Sequence, residues 1–155
     1  KTFNLAGLLC SNTIIRDPEL KTRFDVAAEN IGGMTVSHFG LVACIAAYNE
    51  AEGWFDELLD VVAANLAAVR AFATAHNGIA LVEPEGTYLA WLDFRDLGMD
   101  SRALKDFLRR RAAVALGEGH IFGRGGEGFA RVNMACPRAL LEEGLDRLER
   151  AVKAL

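Results

Sequence analysis

The amino-acid sequence predicts a mixed α/β chain. Three observations carry this. From Trp54 to His76 the apolar residues Phe55, Leu58, Leu59, Val62, Leu66, Val69 and Ala73 recur at helical spacing, with Asp56, Asp60 and Arg70 between them. From Ile79 to Ala135, short apolar and aromatic stretches alternate with turns containing Gly or Pro, the mark of strands. At the end, Leu141, Leu145, Leu148, Val152 and Leu155 stand at i, i+4, i+7, i+11 and i+14, which places one apolar stripe on a helix.

In chain order, Leu8 to Arg16 mixes apolar and β-branched residues and stops at Asp17-Pro18, so a buried strand is expected there. Asp17 suits an N-cap and Pro18 a first helical turn, opening a helix through Leu20, Phe24, Ala27 and Ala28 to about Asn30, which Gly32-Gly33 ends. A second helix runs from Ser37 to about Glu50. Its run Leu41, Val42, Ala43, Ile45, Ala46, Ala47 leaves hardly any polar face, so burial nearly all round is expected. The helix from Trp54 to His76 would be roughly 34 Å long at 1.5 Å per residue, and Asn77-Gly78 stops it.

The remainder reads as an α+β unit. Strands are expected at Ile79 to Val82 and Thr87 to Phe94 around the turn Glu83-Pro84-Glu85-Gly86, and again at Phe129 to Ala135. Helices are expected at Ser101 to Val114 and Arg138 to Leu155.

Composition limits the function. The chain has 155 residues, is 52% hydrophobic and 25% charged, and carries a net charge of −4. That is enough chain to bury one core, and its acidic balance offers no footprint for nucleic acid, which requires a basic face. The run Arg109-Arg110-Arg111 lies in a helical pattern and reads as a solvated face. The run Leu5 to Cys10 is too short to span a bilayer. Cys10, Cys44 and Cys136 are odd in number and far apart in sequence, which matches neither a disulfide framework nor a zinc site. Reduced thiols in a cytoplasmic protein are expected.

Several motifs are weak on inspection. Gly123-Arg124-Gly125-Gly126-Glu127-Gly128 has the G-x-G-x-x-G spacing of dinucleotide sites, but such a fingerprint opens a helix, and here the glycines lead into the strand-like Phe129-Ala130-Arg131-Val132-Asn133-Met134. A loop is expected. His38, His76 and His120 have no metal-ligand spacing, so no metal is expected. Glu83 and Glu85 flank a proline in a turn and read as solvated carboxylates rather than an acid/base pair. No serine occupies a nucleophile elbow.

Arg131 is more informative. Strand alternation puts Phe129, Arg131, Asn133 and Ala135 on one face and Ala130, Val132 and Met134 on the other, which as the all-apolar face should meet the core. Arg131 then points to a surface or cleft, where periodicity alone favours a structural ion pair over a ligand.

Lys1-Thr2-Phe3-Asn4-Leu5-Ala6-Gly7 and Gly128-Phe129-Ala130-Arg131-Val132-Asn133-Met134-Ala135-Cys136-Pro137-Arg138 resemble two segments of the fold-type I enzymes that use pyridoxal phosphate (PLP), above all the MalY/PatB group of cystathionine β-lyase-like and aminotransferase-like proteins. Asn12-Thr13-Ile14-Ile15, Tyr48-Asn49-Glu50, Gly53-Trp54 and Glu85-Gly86-Thr87-Tyr88-Leu89-Ala90-Trp91-Leu92-Asp93 follow in the family's order, so the resemblance covers essentially the whole chain.

It implies that Lys1 is the lysine to which the cofactor attaches and the base that moves the Cα proton. Arg131 becomes the residue that grips the substrate α-carboxylate, which suits a planar, two-pronged guanidinium. It further implies the C-terminal part of a fold-type I PLP-dependent transferase: residues 1–53 ending the large α/β/α domain, 54–76 an interdomain helix, and 77–155 the small α+β domain. The expected activity is that of a carbon–sulfur β-lyase releasing a thiol, pyruvate and ammonia from an amino acid, with a class I/II aminotransferase as the alternative. A homodimer with Met34 to Phe39 near the partner is implied as well. Many aminotransferases carry a phosphate-binding arginine shortly after the lysine, where this chain has Leu8, Leu9 and Cys10, which favours the lyase branch. The chain would begin at its catalytic lysine, with the other cofactor-pocket residues upstream. A non-catalytic packing or dimerisation fragment is the reading from a different class.

Overall fold

The structure, a computed structural model, describes residues 2–33 and 35–155. Lys1 and Met34 lie outside the described residues. The chain divides into two compact units, residues 1–57 and 58–155.

In the first unit, α1 (Pro18–Asn30) and α2 (His38–Glu50) follow an irregular segment that opens with a 3-10 turn at Ala6–Leu8. Both helices begin where the sequence predicts. The Asp17 carboxylate accepts from Leu20 N at 2.9 Å and the Ser37 hydroxyl from Gly40 N at 3.4 Å, each satisfying an amide that the first turn leaves without a partner. Past Asn30 the amides of Gly32 and Gly33 donate back to Glu29 O and Ala28 O, closing α1.

Two expectations fail here. Leu8 to Arg16 forms no strand and is largely open, with Ile14 89% exposed. A strand exists only through a ladder partner, and among the described residues of this unit no other segment supplies one. The second failure is α2, in which only Gly40 is buried and Phe39 is 77% exposed. Apolar composition states what a helix can bury, whereas two 13-residue helices and an irregular segment are too little chain to enclose it.

Cys10 and Cys44, distant in sequence, are neighbours in this unit. Desolvation and a hydrogen bond with Cys44 push the Cys10 thiol up from its ordinary value, and both thiols are free.

The division between the units falls within α3 (Glu52–Ala75), whose 24 residues make about 36 Å of helix. By length and apolar content α3 could cross a membrane. In the second unit, however, its Asn65, Val69, Phe72 and Ala73 are buried in a protein core.

The second unit is built on a four-stranded antiparallel sheet in the order β1-β2-β4-β3, with β1 Ala80–Val82, β2 Leu89–Asp93, β3 Gly117–Glu118 and β4 Phe129–Asn133. Between β2 and β3 lies α4 (Ser101–Asp106), capped by the Asp100 carboxylate on Ala103 N at 2.7 Å. After β4 comes α5 (Arg138–Val152). The inner face of the sheet carries Ala90, Leu92, Ala130 and Val132, and the apolar stripe of α5 (Leu141, Leu145, Leu148, Ala151) joins them in one core with Val69 and Phe72 of α3.

The helix expected from Ser101 to Val114 is regular only to Asp106 and continues as a π turn over Phe107–Arg111. A π turn holds one residue more than an α turn, which lets the adjacent Phe107 and Leu108 both enter the core. The chain then leaves through Ala113 at φ 53 and reaches β3, a strand of two residues that sequence periodicity does not reveal.

Candidate active site

β4 delivers Arg131 as strand alternation requires. Ala130, Val132 and Met134 are buried on the core face, while Phe129 and Arg131 are half-buried on the other. In register, Arg131 is flanked by Trp91 on β2 and Gly117 on β3, so its side chain rises between an indole and a residue with no side chain. The consequence is room on one side. A Cβ on Gly117 would stand 3.2 Å from Arg131 Cβ and 3.3 Å from its Nε.

Around Arg131 the outer face is aromatic. Its guanidinium carbon lies 4.5 Å from the Phe122 ring centroid. Phe122 meets Trp91 edge-on at 5.6 Å, and Trp91 stacks on Phe129, also at 5.6 Å. Arg95 covers Phe129 at 4.8 Å.

Two arginines therefore share one aromatic patch, and their pairing differs. Arg95 donates to both oxygens of Asp93, at 3.0 Å from Nε to Oδ1 and 2.7 Å from NH2 to Oδ2. These hydrogen bonds hold the Asp93 carboxyl below its usual range and raise Arg95. Arg131, among the described residues, makes no ion pair and no side-chain hydrogen bond; the π face of Phe122 is its cation partner. A ring lying over a guanidinium face attracts the cation without accepting its N–H groups as a carboxylate would. That disposition leaves the Arg131 donors available to a carboxylate. Arg131 also borders a groove of about 500 Å³ shared with Leu89, Leu116, Asn133 and Leu140.

Lys1 is outside the described residues, and the segment after it packs through Phe3. The Phe3 ring packs against Tyr48 at 5.2 Å and Phe55 at 5.7 Å. Gly40 of α2 lies so close that a Cβ there would be 2.5 Å from Leu8 O. Asn4 and Leu9 hold left-handed backbone at φ 56 and 53, a conformation that costs a non-glycine residue about 1–2 kcal/mol.

The other motifs have structural explanations. The glycines from 119 to 128 form two 3-10 turns leading into β4 rather than a phosphate cradle. The basic run is exposed: Arg109 pairs with Glu118 at 2.8 Å and Arg110 with Asp106 at 3.3 Å. Glu118, which also receives Lys105 and faces His120, is held below its ordinary range, chiefly by the Lys105 hydrogen bond. Glu83 is taken by Arg70. His76 places Nδ1 2.7 Å from Phe72 O.

Phe122 was not legible as a site residue. The only sequence signal was an aromatic nine positions before a strand arginine, and the two meet through the two-residue β3 and the glycine turns.

No protein-family model matches the chain. Cystathionine beta-lyase PatB of Bacillus subtilis is 35% identical over 153 residues, which span 98% of this chain and 40% of PatB. Cystalysin of Treponema denticola, whose crystal structure contains pyridoxal 5'-phosphate, superposes with a TM-score of 0.92 at 39% identity over 99% of this chain and 39% of its own. Aromatic-amino-acid aminotransferase 2 of Thermococcus litoralis is 32% identical over 76 residues, or 49% of the chain. The chain thus spans about 40% of the length of the first curated relative it matches. On the matches to PatB and cystalysin, which span nearly all of this chain, the chain belongs to the pyridoxal-phosphate-dependent fold-type I enzymes of the MalY/PatB cystathionine β-lyase-like group and matches their C-terminal part.

Proposed function

We propose that the protein is a PLP-dependent carbon–sulfur β-lyase that releases a thiol, pyruvate and ammonia from a sulfur-bearing amino acid. The single observation that carries the site assignment is the contrast between Arg95, neutralised by Asp93, and Arg131, whose hydrogen-bonding edges have no protein partner among the described residues.

The donor set suits the cofactor, because the primary amine of Lys1 is the group that condenses with an aldehyde. PLP, when bound, supplies an electron sink for the charge left at Cα. Lys1 takes the Cα proton, for which its amine must be neutral. An exposed lysine, with a pKa near 10.4, is almost fully protonated at neutral pH, so the amine must be desolvated or set near positive charge. Arg131 holds the α-carboxylate through two parallel N–H donations and so fixes which Cα substituent faces that amine. The Cβ–S bond then breaks, its electron pair leaving on sulfur, and water completes the release of pyruvate and ammonia.

The aminotransferase matches favour a second reading, in which Lys1 would move the same proton and the amino group would pass to a keto acid. Incubating the complete enzyme with L-cystathionine separates the two. Equimolar thiol, pyruvate and ammonia are expected. Transfer of the amino group to an added keto acid, with no thiol released, would overturn the lyase reading.

The reading extends to a cytoplasmic homodimer in which residues 34–39 approach the partner. The exposed apolar Ile31, Val36 and Phe39 support this placement, and three cysteines scattered through the sequence suit a reducing compartment. Light scattering on the complete protein should give twice the subunit mass; a monomer would contradict it.

A further inference from the structure

We propose that Phe122 is the positioning residue for Arg131, a ring that fixes the plane of the guanidinium while sparing every N–H for the substrate. This rests on the reading of Arg131 as the carboxylate holder.

A strand arginine with no carboxylate or carbonyl partner has several soft torsions and would sample many orientations in water. Fixing it with a hydrogen-bond acceptor, as Asp93 fixes Arg95, consumes the donors that a ligand needs. Stacking is the alternative that consumes none, because the ring quadrupole attracts the cation through its face. Phe122 provides it at 4.5 Å. On the β3 side, Gly117 leaves the space over which the aliphatic part of Arg131 lies.

Phe122 is itself held, although it contributes little to the core and is 50% exposed. It ends the 3-10 turn Gly119–Phe122, meets Trp91 edge-on, and follows Gly119, whose backbone is locked against Gly126. A half-exposed phenylalanine anchored on three sides, with its ring presented to an unpaired arginine, is explained by what it does to that arginine.

The test uses the complete holoenzyme with a series of fluorinated phenylalanines at position 122, which drain the ring quadrupole with little change in shape. Inhibition constants are measured for L-alanine and for L-alaninamide, which lacks the carboxylate, together with kcat and KM for L-cystathionine. The preference for alanine over its amide should fall stepwise with fluorine count, and Phe122→Leu should lose it by roughly three- to thirtyfold, with Phe122→Trp restoring it. KM should rise more than kcat falls. A preference indifferent to fluorination would overturn the proposal while leaving Arg131 in its role, provided that Arg131→Ala still abolishes the preference. If Arg131→Ala also leaves the preference intact, the carboxylate reading itself fails.

Discussion

Gly119 and Gly126 lie backbone to backbone, so close that a Cβ on either would overlap the carbonyl oxygen of the other. This contact closes the two 3-10 turns that carry Phe122 toward Arg131. Gly126→Ala must push backbone against backbone, a strain of the kind that costs about 1–3 kcal/mol. Gly125→Ala, one residue away with nothing within 4 Å of its Cβ, should be nearly neutral. Urea unfolding of the two variants is the check, and equal midpoints would contradict the packing role of Gly126.

Asn65 makes the second unit's one fully buried polar anchor among the described residues. Its amide donates to Met134 O at 2.8 Å and to Cys136 O at 3.0 Å, joining α3 to the chain that leaves β4. Asn65→Ala strips both hydrogen bonds and leaves buried carbonyls without donors, so a loss of about 1–3 kcal/mol is expected in the same unfolding assay. Asn65→Asp should be at least as harmful, since it replaces a donor with an acceptor opposite two carbonyls.

Asp93 and Arg95 predict a pH dependence. Because Arg95 depresses the Asp93 carboxyl in the folded state, the contribution is complete above an ordinary aspartate pKa of about 3.9 and is lost as pH falls through the depressed value. Asp93 is partly buried but Arg95 is mainly exposed, so the effect is small. Asp93→Asn should therefore be less stable than the parent at pH 7 and should converge with it once the pH has fallen below the depressed value. A gap that persists at low pH would show that the pair does not act through its charge.

What the sequence made legible was what local chemistry decides. The cap at Asp17, the alternation of β4 and the stripe of α5 all depend on residues within one or two turns of one another. The two failures in the first unit were failures of context. Leu8 to Arg16 has strand composition without a ladder partner, and α2 has core composition without a cover. The site divided in the same way. Alternation predicted the face of Arg131, whereas its partner Phe122 depends on β3 and on the Gly119–Gly126 contact, which no periodicity encodes. Likewise, the separation of Cys10 and Cys44 in sequence concealed that they are neighbours.

The central claim is that Arg131 fixes the orientation of the substrate carboxylate, and Arg131→Lys in the complete enzyme tests it most directly. Lysine keeps the charge but replaces a planar fork with a point donor. Losing one charge-assisted hydrogen bond of about 1.5–3 kcal/mol lowers a rate constant roughly ten- to more than a hundredfold. The measurement is kcat/KM for the amino-acid substrate alongside a thermal melt of the same preparation. The account predicts that kcat/KM falls by that factor while the melting temperature and the cofactor's absorbance are unchanged; a lowered melting temperature with undiminished turnover per folded molecule would contradict it.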